Sequence, residues 1–318
     1  MLPTYLEFQS QLDDLWIHYS LLRINTFQSS DPKTLLMLSR IFFLIFILPT
    51  NCFGNQQGQS CFQDYFSQQA NDLDEKKRTS TTHYHYKVIA QYPHDSTAFT
   101  QGLIFYHGYL YESTGLLGKS SVRKINISNG QVLLTNQPSD IYFGEGLTII
   151  ENTLIQMSWK TGKVFFFQPE TLKLLNKTVI EKETWGITTI ENQLIISDGS
   201  STLSFFTADN FKIFKTLEVG LHNKMLQGLN ELEYANGFIY ANVWPTSCIV
   251  IINPENGKVE GWLNLSGLNP EPLPPSHNAV LNGIAYQANK KHFFITGKFW
   301  PSLYEIELLK DENLLPDN

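Results

Sequence analysis

The amino-acid sequence predicts an all-β protein, a five-bladed β-propeller whose last blade is closed by a strand from the N-terminal end of the domain. Three observations indicate this fold class. Strand-like segments recur along the chain at intervals of about 40–50 residues, which is typical of propellers. Asn-Gly pairs separate several of the apolar runs, as in tight hairpins. The 318 residues also include 22 Phe and 14 Tyr, residue types that favour strands.

One polar or aromatic residue opens an apolar run in each repeat. These residues lie 44, 40, 45 and 52 positions apart, and they are Gln101, Glu145, Trp185, Asn230 and Asn282. The longest interval contains the proline-rich stretch 266–278. Because the innermost strands of a propeller line one central channel, we expect these five side chains to meet at one mouth of that channel.

The predicted elements follow the same order in each repeat. Hairpins are expected at 102–113, 146–158, 186–198, 232–243 and 283–296, and outer strands at 122–135, 164–180, 203–219, 249–263 and 303–308. The last repeat has three strands, so a strand at 84–92 is expected to pair with its outer edge. This closure leaves no long exposed edge. A solenoid is the alternative, but its typical period of about 20–29 residues is absent.

The N-terminal region is predicted to be a targeting segment. Residues 35–48 are apolar except for Ser39 and Arg40, and the unbroken run 41–48 is too short for a span of about 20 residues. It suits a secretory signal that starts at Met37. We therefore expect 1–54 to be an upstream extension and signal peptide, 55–82 a polar linker, 83–310 the propeller catalytic domain and 311–318 a tail. The protein is then exported, periplasmic or secreted, without stable membrane association; an N-terminal membrane anchor is the alternative.

Charge and motif content exclude several classes of function. The net charge is −7 with no basic stripe, so nucleic acid is not an expected partner. The eight His are scattered without metal-ligand spacing, and no phosphate-binding glycine motif occurs, so neither a metal nor a cofactor is expected. If Cys52 leaves with the signal, Cys61 and Cys248 are the pair that an oxidising compartment would allow to join.

The second strand of each repeat returns to the same mouth of the channel. It brings with it Ser113, Trp159, Asp198, Trp244 and Lys298. The predicted mouth is therefore a small pocket with aromatic walls and a polar floor, suited to one compact ligand. Structural alternatives stay open at this point: the Trp rings could be packing residues, the amides could satisfy backbone groups, and Glu145 could form an ion pair with Lys298.

From residue 92 to residue 308 the chain resembles the plant-type glutaminyl-peptide cyclotransferases, a family with bacterial members. One departure is Thr184, where the family usually has Gly before the Trp. The matching motifs are Tyr92-Pro93-His94-Asp95, Ala98-Phe99-Thr100-Gln101-Gly102-Leu103, Phe143-Gly144-Glu145-Gly146-Leu147-Thr148, Ser158-Trp159-Lys160, Trp185-Gly186, Leu229-Asn230-Glu231-Leu232-Glu233, Asn242-Val243-Trp244, Leu281-Asn282-Gly283-Ile284-Ala285-Tyr286 and Thr296-Gly297-Lys298-Phe299-Trp300-Pro301.

The resemblance implies a five-bladed propeller that cyclises the N-terminal glutaminyl residue of peptides or proteins to pyroglutamate, with loss of ammonia and without a metal. It implies that Glu145 is the catalytic acid and base. Lys298, Gln101 and Asn230 would hold the amide oxygen as it gains charge. The walls of the site would be Phe99, Phe143, Trp159, Trp185 and Trp244. A non-catalytic propeller that acts as a binding module and a propeller hydrolase or lactonase stay open as alternatives.

Overall fold

The structure, a computed structural model, describes residues 81–310 except 222, 223, 271, 273–275 and 277. The predicted signal peptide, almost all of the predicted linker and the predicted C-terminal tail lie outside these residues. In the described part of the chain the fold is all-β, as predicted, with one short 3-10 helix at Ser266–Leu268. No helix in this part is long and apolar enough to cross a membrane.

The first strand is β1 (Thr82–Pro93), and three sheets of four antiparallel strands follow it. In each sheet, strands that are consecutive in sequence are neighbours. The first sheet contains β2 (Thr100–Tyr106), β3 (Tyr109–Thr114), β4 (Ser121–Ile125) and β5 (Val132–Asn136). The second contains β6 (Gly144–Ile150), β7 (Thr153–Ser158), β8 (Lys163–Phe167) and β9 (Leu174–Val179). The third contains β10 (Ile187–Ile190), β11 (Gln193–Ile196), β12 (Thr202–Thr207) and β13 (Ile213–Glu218).

The other strands form a two-stranded hairpin and one sheet of eight strands. The hairpin consists of β14 (Gly220–Leu221) and β15 (Lys224–Met225). The large sheet adds β16 (Leu229–Ala235), β17 (Phe238–Val243), β18 (Cys248–Ile252), β19 (Val259–Asn264), β20 (Leu281–Gln287), β21 (His292–Gly297) and β22 (Ser302–Lys310). Its strand order is β16-β17-β18-β19-β1-β22-β21-β20.

Strand β1 joins two groups of strands within the large sheet. It runs antiparallel to β22, which confirms the pairing predicted for the N-terminal strand. Its first residues, Thr82 to Tyr84, also pair in parallel with Gly261 to Leu263 of β19. The sequence did not predict this second pairing. Cys248, on β18, is buried and disulfide-bonded. Cys61, the residue with which an oxidising compartment would allow it to join, lies outside the described residues.

The hairpin turns have the conformation that their residue types predict. Asn236 and Gly237 have φ values of 54° and 86°, and His107 and Gly108 have values of 48° and 83°. Two consecutive residues with positive φ are the mark of a type I′ turn, whose twist matches that of the flanking strands. The predicted turns therefore fix the residues at which the chain reverses direction in these inner hairpins.

The apolar core lies between successive groups of four strands. Five clusters of buried residues fill these spaces, and the fifth joins the first sheet to β20–β22 through residues such as Leu103, Leu110, Phe294 and Leu303. The first strands of the groups also contact one another in sequence order, and β20 contacts β2. The first and last groups of strands are therefore neighbours.

A buried charged cluster joins the end of β1 to the first sheet. His94 Nδ1 lies 2.7 Å from the Trp300 carbonyl oxygen, and His94 Nε2 lies 2.9 Å from Glu112 Oε1. Both ring nitrogens face acceptors, which favours the doubly protonated imidazolium form. Burial alone lowers the pKa of His94, but the charge of Glu112 and the hydrogen bonds to Glu112 and Trp300 outweigh it, so the pKa is raised. Burial raises the pKa of Glu112, but His94, Arg123 and Thr100 bring it below its usual value.

Loss of β1 is expected to unfold the protein, because the edges of β22 and β19 would then lack their partner strand. We expect a variant without residues 1–80 to give one cooperative thermal transition, and a variant without residues 1–92 to give none. Both variants lack the N-terminal cysteines, so loss of a disulfide affects them equally. A cooperative melt of the longer truncation, followed by circular dichroism, would contradict this role of β1.

The His94–Glu112 pair is expected to make stability depend on pH. Because the pKa of His94 is raised in the folded protein, its contribution is complete below the unfolded value of about 6.5 and is lost as pH rises through the folded value. The difference in Tm between the wild type and His94→Gln should therefore shrink as pH rises above the unfolded value of about 6.5. His107→Gln, at an exposed ring, is the control. A His94→Gln difference that stays constant as pH rises would refute the prediction.

Candidate functional site

A chain of hydrogen bonds ends at the carboxyl group of Glu145. Glu145 lies at the start of β6 and is only 5% exposed. Its Oε1 accepts a hydrogen bond of 2.8 Å from Gln101 Nε2, on β2. Gln101 Oε1 in turn accepts one of 3.3 Å from Asn282 Nδ2, on β20. Three of the five repeat-equivalent residues therefore meet, as the sequence predicts.

Glycines allow the first strands of the groups to come this close. A Cβ atom at Gly146 would lie 2.6 Å from the main-chain nitrogen of Ile187, and one at Gly186 would lie 2.1 Å from the main-chain oxygen of Asn230. Both distances are shorter than a Cβ atom allows. Gly146 also donates a hydrogen bond of 2.7 Å to the Trp185 carbonyl oxygen. The glycine that recurs beside the polar residue thus lets main chain pack on main chain and exclude water.

The surroundings of Glu145 favour its protonated form. Burial raises the pKa of its carboxyl group well above the usual value. The positive charge of Lys298 opposes this shift, the negative charge of Glu183 adds to it, and the hydrogen bond from Gln101 opposes it. Burial is therefore the dominant effect. A carboxyl group with a raised pKa can both accept and donate a proton near neutral pH.

Lys298 lies directly after β21 and is also 5% exposed. Its Nζ atom lies 4.7 Å from the centroid of the Phe99 ring, within the range of a cation–π contact. Its main-chain nitrogen donates to the Val280 carbonyl oxygen at 2.9 Å, which fixes the start of the loop. A buried positive charge thus lies near enough to Glu145 to act on its pKa.

Aromatic rings beside these polar groups form two sets of contacting rings. Ring centroids are 5.2 Å apart for Phe299 and Phe99, and 5.7 Å apart for both Phe99–Phe143 and Phe143–Trp159. Trp185 and Trp244 form a second, T-shaped pair at 5.8 Å. The five predicted wall residues therefore fall into two sets of contacting rings: Phe99, Phe143 and Trp159 in the first, and Trp185 and Trp244 in the second.

Two buried amide oxygens close to this region have no hydrogen-bond donor among the described residues. They are Oδ1 of Asn230, on β16, and Oδ1 of Asn282, on β20. Buried acceptors without a donor are rare in folded proteins. An N–H group of a bound ligand would satisfy either of them. Asn230 is 2% exposed, and its main-chain oxygen accepts a hydrogen bond of 2.6 Å from Ser197 Oγ.

Two other buried carboxyl groups lie on β16, but their oxygens accept hydrogen bonds from main-chain N–H groups. Glu231 accepts hydrogen bonds from the main-chain nitrogens of Leu103 and Ile284, at 3.2 Å and 2.9 Å. Glu233 accepts one of 2.9 Å from the nitrogen of Tyr286. Burial raises the pKa of both carboxyl groups, that of Glu233 to about 8. Glu231 thus ties three of the first strands together. Glu145, in contrast, accepts its hydrogen bond from the side chain of Gln101 and none from these main-chain nitrogens.

Sequence reasoning missed two residues of the site. Phe299 extends the ring series beyond Phe99, and Glu183 accepts hydrogen bonds from two indoles. Phe299 directly follows Lys298, so its place in the predicted mouth could have been found. Asp198, which was expected at the mouth, forms an ion pair of 2.7 Å with Lys182. Thr184, the departure from the family pattern, donates to the Ser158 carbonyl oxygen at 3.0 Å.

The described part of the chain holds no metal-ligating cluster, and it has a groove that is lined by other residues than this site. Residues 81–310, apart from the gaps, contain no group of three or more His, Cys, Asp or Glu side chains that could hold a metal ion. A groove of about 720 Å³ lies between the outer strands β9 and β13. Its lining includes Phe166, Val179 and Phe211 but none of the predicted site residues.

Fold and site together define an all-β protein in which a buried carboxyl group of raised pKa lies near aromatic rings. A family model described as glutamine cyclotransferase matches residues 63–308. A glutaminyl-peptide cyclotransferase of Arabidopsis thaliana is 38% identical over 278 residues, which cover 86% of this chain and 82% of that protein. The crystal structure of Myxococcus xanthus glutaminyl cyclase matches with a TM-score of 0.69 and 33% identity, over 73% of this chain and all of the other. The chain belongs to the glutamine cyclotransferase family.

Proposed function

We propose that the protein is a glutaminyl-peptide cyclotransferase, which converts the N-terminal glutaminyl residue of a peptide or protein to pyroglutamate and releases ammonia. The observation that carries this proposal is the Glu145 carboxyl group, buried, raised in pKa and oriented by Gln101. The relatives from Arabidopsis thaliana and Myxococcus xanthus carry the corresponding names.

The reaction needs little more than proton transfer and polarisation of an amide. The substrate's α-amine attacks the carbonyl carbon of its own γ-carboxamide, so the two reacting groups are already close together. An α-amine has a pKa of about 7.7–8.0 and must be neutral to attack. Glu145 takes the proton that the amine nitrogen releases as the new C–N bond forms. It then donates this proton to the carboxamide nitrogen, which leaves as ammonia while the five-membered lactam closes.

The neighbouring polar groups divide the remaining tasks. Gln101 donates to Glu145 Oε1, which orients the carboxyl group towards the reacting nitrogens. Lys298 supplies a buried positive charge that stabilises the amide oxygen as it becomes negative. Asn230 Oδ1 is a free buried acceptor, which suits an N–H group of the substrate. In this assignment Gln101 orients Glu145, and Asn230 accepts a hydrogen bond from a substrate N–H group. Lys298 stabilises the substrate's amide oxygen.

The aromatic rings supply the walls that keep water out. Phe99 is 7% exposed and packs between Phe143 and Phe299, while Lys298 lies over its ring. Exclusion of water strengthens each charge interaction in the site. It also favours attack by the tethered amine over attack by a water molecule, which would yield glutamate in place of the lactam.

We also propose that the fold is a five-bladed β-propeller in which β1 completes the last blade. Support comes from the first strands, which contact one another in a ring, and from five apolar clusters that each fill the space between two successive groups of strands. The parallel contact of β1 with β19 then joins the two last blades. Such closure places Glu145 near the common axis of all five blades.

The purified protein is expected to release ammonia from a Gln-initiated dipeptide at the same rate with and without a chelator. The nucleophile is the substrate's own amine and the proton carrier is a side chain, so no metal takes part. Ammonia can be measured with a coupled enzyme assay and pyroglutamate by mass spectrometry. A binding module would release none, and loss of activity with chelator, restored by a divalent cation, would favour the hydrolase alternative.

Glu145→Gln is expected to lower turnover by roughly 10²-fold or more, because the amide keeps the shape of the side chain but cannot carry the proton. Substrate binding and Tm should stay close to the wild-type values. Glu151→Gln, on the exposed turn after β6, is the matched control. If Glu145 instead only neutralises Lys298, the variant should melt early and lose activity in step with folding. Near-normal turnover of a folded Glu145→Gln protein would refute the catalytic role.

A further inference from the structure

One carboxylate oxygen of Glu183 accepts hydrogen bonds from a Trp of each of the two sets of aromatic rings. Glu183 Oε1 accepts a hydrogen bond of 2.6 Å from Trp159 Nε1 and one of 3.0 Å from Trp185 Nε1. Trp159 follows β7 in the second sheet, and Trp185 precedes β10 in the third. The ring contacts described above connect Trp159 to Phe143 and Trp185 to Trp244. Glu183 therefore provides the link between these two sets of rings.

The main chain around Glu183 is held on both sides. The side-chain oxygen of Thr184, which is fully buried, donates to the Ser158 carbonyl oxygen next to Trp159. The main-chain nitrogen of Trp185 donates to the Ser197 carbonyl oxygen at 2.9 Å. Glu183 itself is exposed. An exposed carboxylate normally turns freely in water, so two bonds to indoles at a fixed backbone position indicate a defined role.

We propose that Glu183 is a positioning residue of the cyclisation reaction, which fixes the indole rings of Trp159 and Trp185 around the substrate and keeps a negative charge at the mouth of the site. This inference rests on the proposed function. The indole N–H group is a donor only, so a carboxylate suits two of them at once. Hydrogen bonds to an ionised acceptor are also shorter and stronger than neutral ones.

The charge of Glu183 acts on the reaction through Glu145. It adds to the rise in pKa that burial imposes on the Glu145 carboxyl group, while Lys298 and Gln101 act against it. Removal of the charge should therefore lower the pKa of Glu145. Removal of the acceptor oxygen should release the two indoles. Two substitutions separate these effects, because Gln keeps an acceptor oxygen without the charge and Ala keeps neither.

The position of the indoles can be followed by ¹⁵N–¹H NMR, which gives one Nε1–H signal for each of the six Trp. Trp159→Phe and Trp185→Phe assign the two signals. In Glu183→Ala both should move upfield, since they lose a charged acceptor, and Glu183→Gln should give a smaller change. Glu181→Gln removes the same charge from an exposed residue of the same segment and should leave both signals in place.

The kinetic measurements use a Gln-initiated dipeptide over a range of pH. Glu183→Ala should lower kcat/KM about tenfold, the scale of one charge-assisted hydrogen bond, mainly through a higher KM. Glu183→Gln should lose less and should move the acidic limb of the kcat/KM profile to lower pH. The substrate amine titrates identically with every variant, so such a movement belongs to the enzyme.

Unchanged indole signals in Glu183→Ala would overturn the proposal. So would moved signals with a kcat/KM and a pH profile identical to those of Glu181→Gln, because Glu183 would then hold the rings without any effect on the reaction. A wild-type protein without cyclase activity would refute the proposed function, and with it the catalytic part of this proposal. The NMR spectra would in that case still show whether Glu183 holds the two indoles.

Discussion

The removal of the Glu145 carboxyl group from water is the constraint on which the site depends. A buried carboxylate is unfavourable unless charges or hydrogen bonds compensate for its lost hydration. Here Gln101 and Lys298 compensate in part, and the pKa stays raised. The close approach of main chain to main chain at Gly146 and Gly186 keeps water away. The fold therefore keeps the pKa of Glu145 raised, which suits the acid–base role proposed for it.

Two buried glutamates show how strongly the surroundings decide the state of a carboxyl group. Glu112 and Glu145 are equally hidden, yet the pKa of Glu112 is lowered and that of Glu145 is raised. The difference is the imidazolium of His94, which donates directly to Glu112. An ion pair suits a structural tie between β1 and the first sheet. Incomplete compensation at Glu145 suits proton transfer, so one fold contains both kinds of carboxyl group.

Much of the fold and the site could be predicted from the sequence, because both follow from the repeat. Gln101 and Glu145 occupy equivalent positions in successive repeats, and they are hydrogen-bonded in the structure. Glu183 has no such signal, since it lies two residues before its repeat position, and its partners come from two different sheets. The parallel pairing of β1 with β19 was missed because the repeat count calls for a fourth strand only beside β22 and gives no sign of a contact with β19. The β14–β15 hairpin has two residues in each strand, too few for a periodic pattern.

The place of β1 in the large sheet has a consequence for the order of folding. β1 is synthesised before all the other described strands, and β22, its antiparallel partner, after them. The antiparallel pairing of β1 must therefore wait until all the other described strands have been made. Contacts so distant in sequence form slowly, because the entropy of closing the intervening chain is lost before they are made. The large sheet is thus completed only after every strand of the three four-stranded sheets has been synthesised.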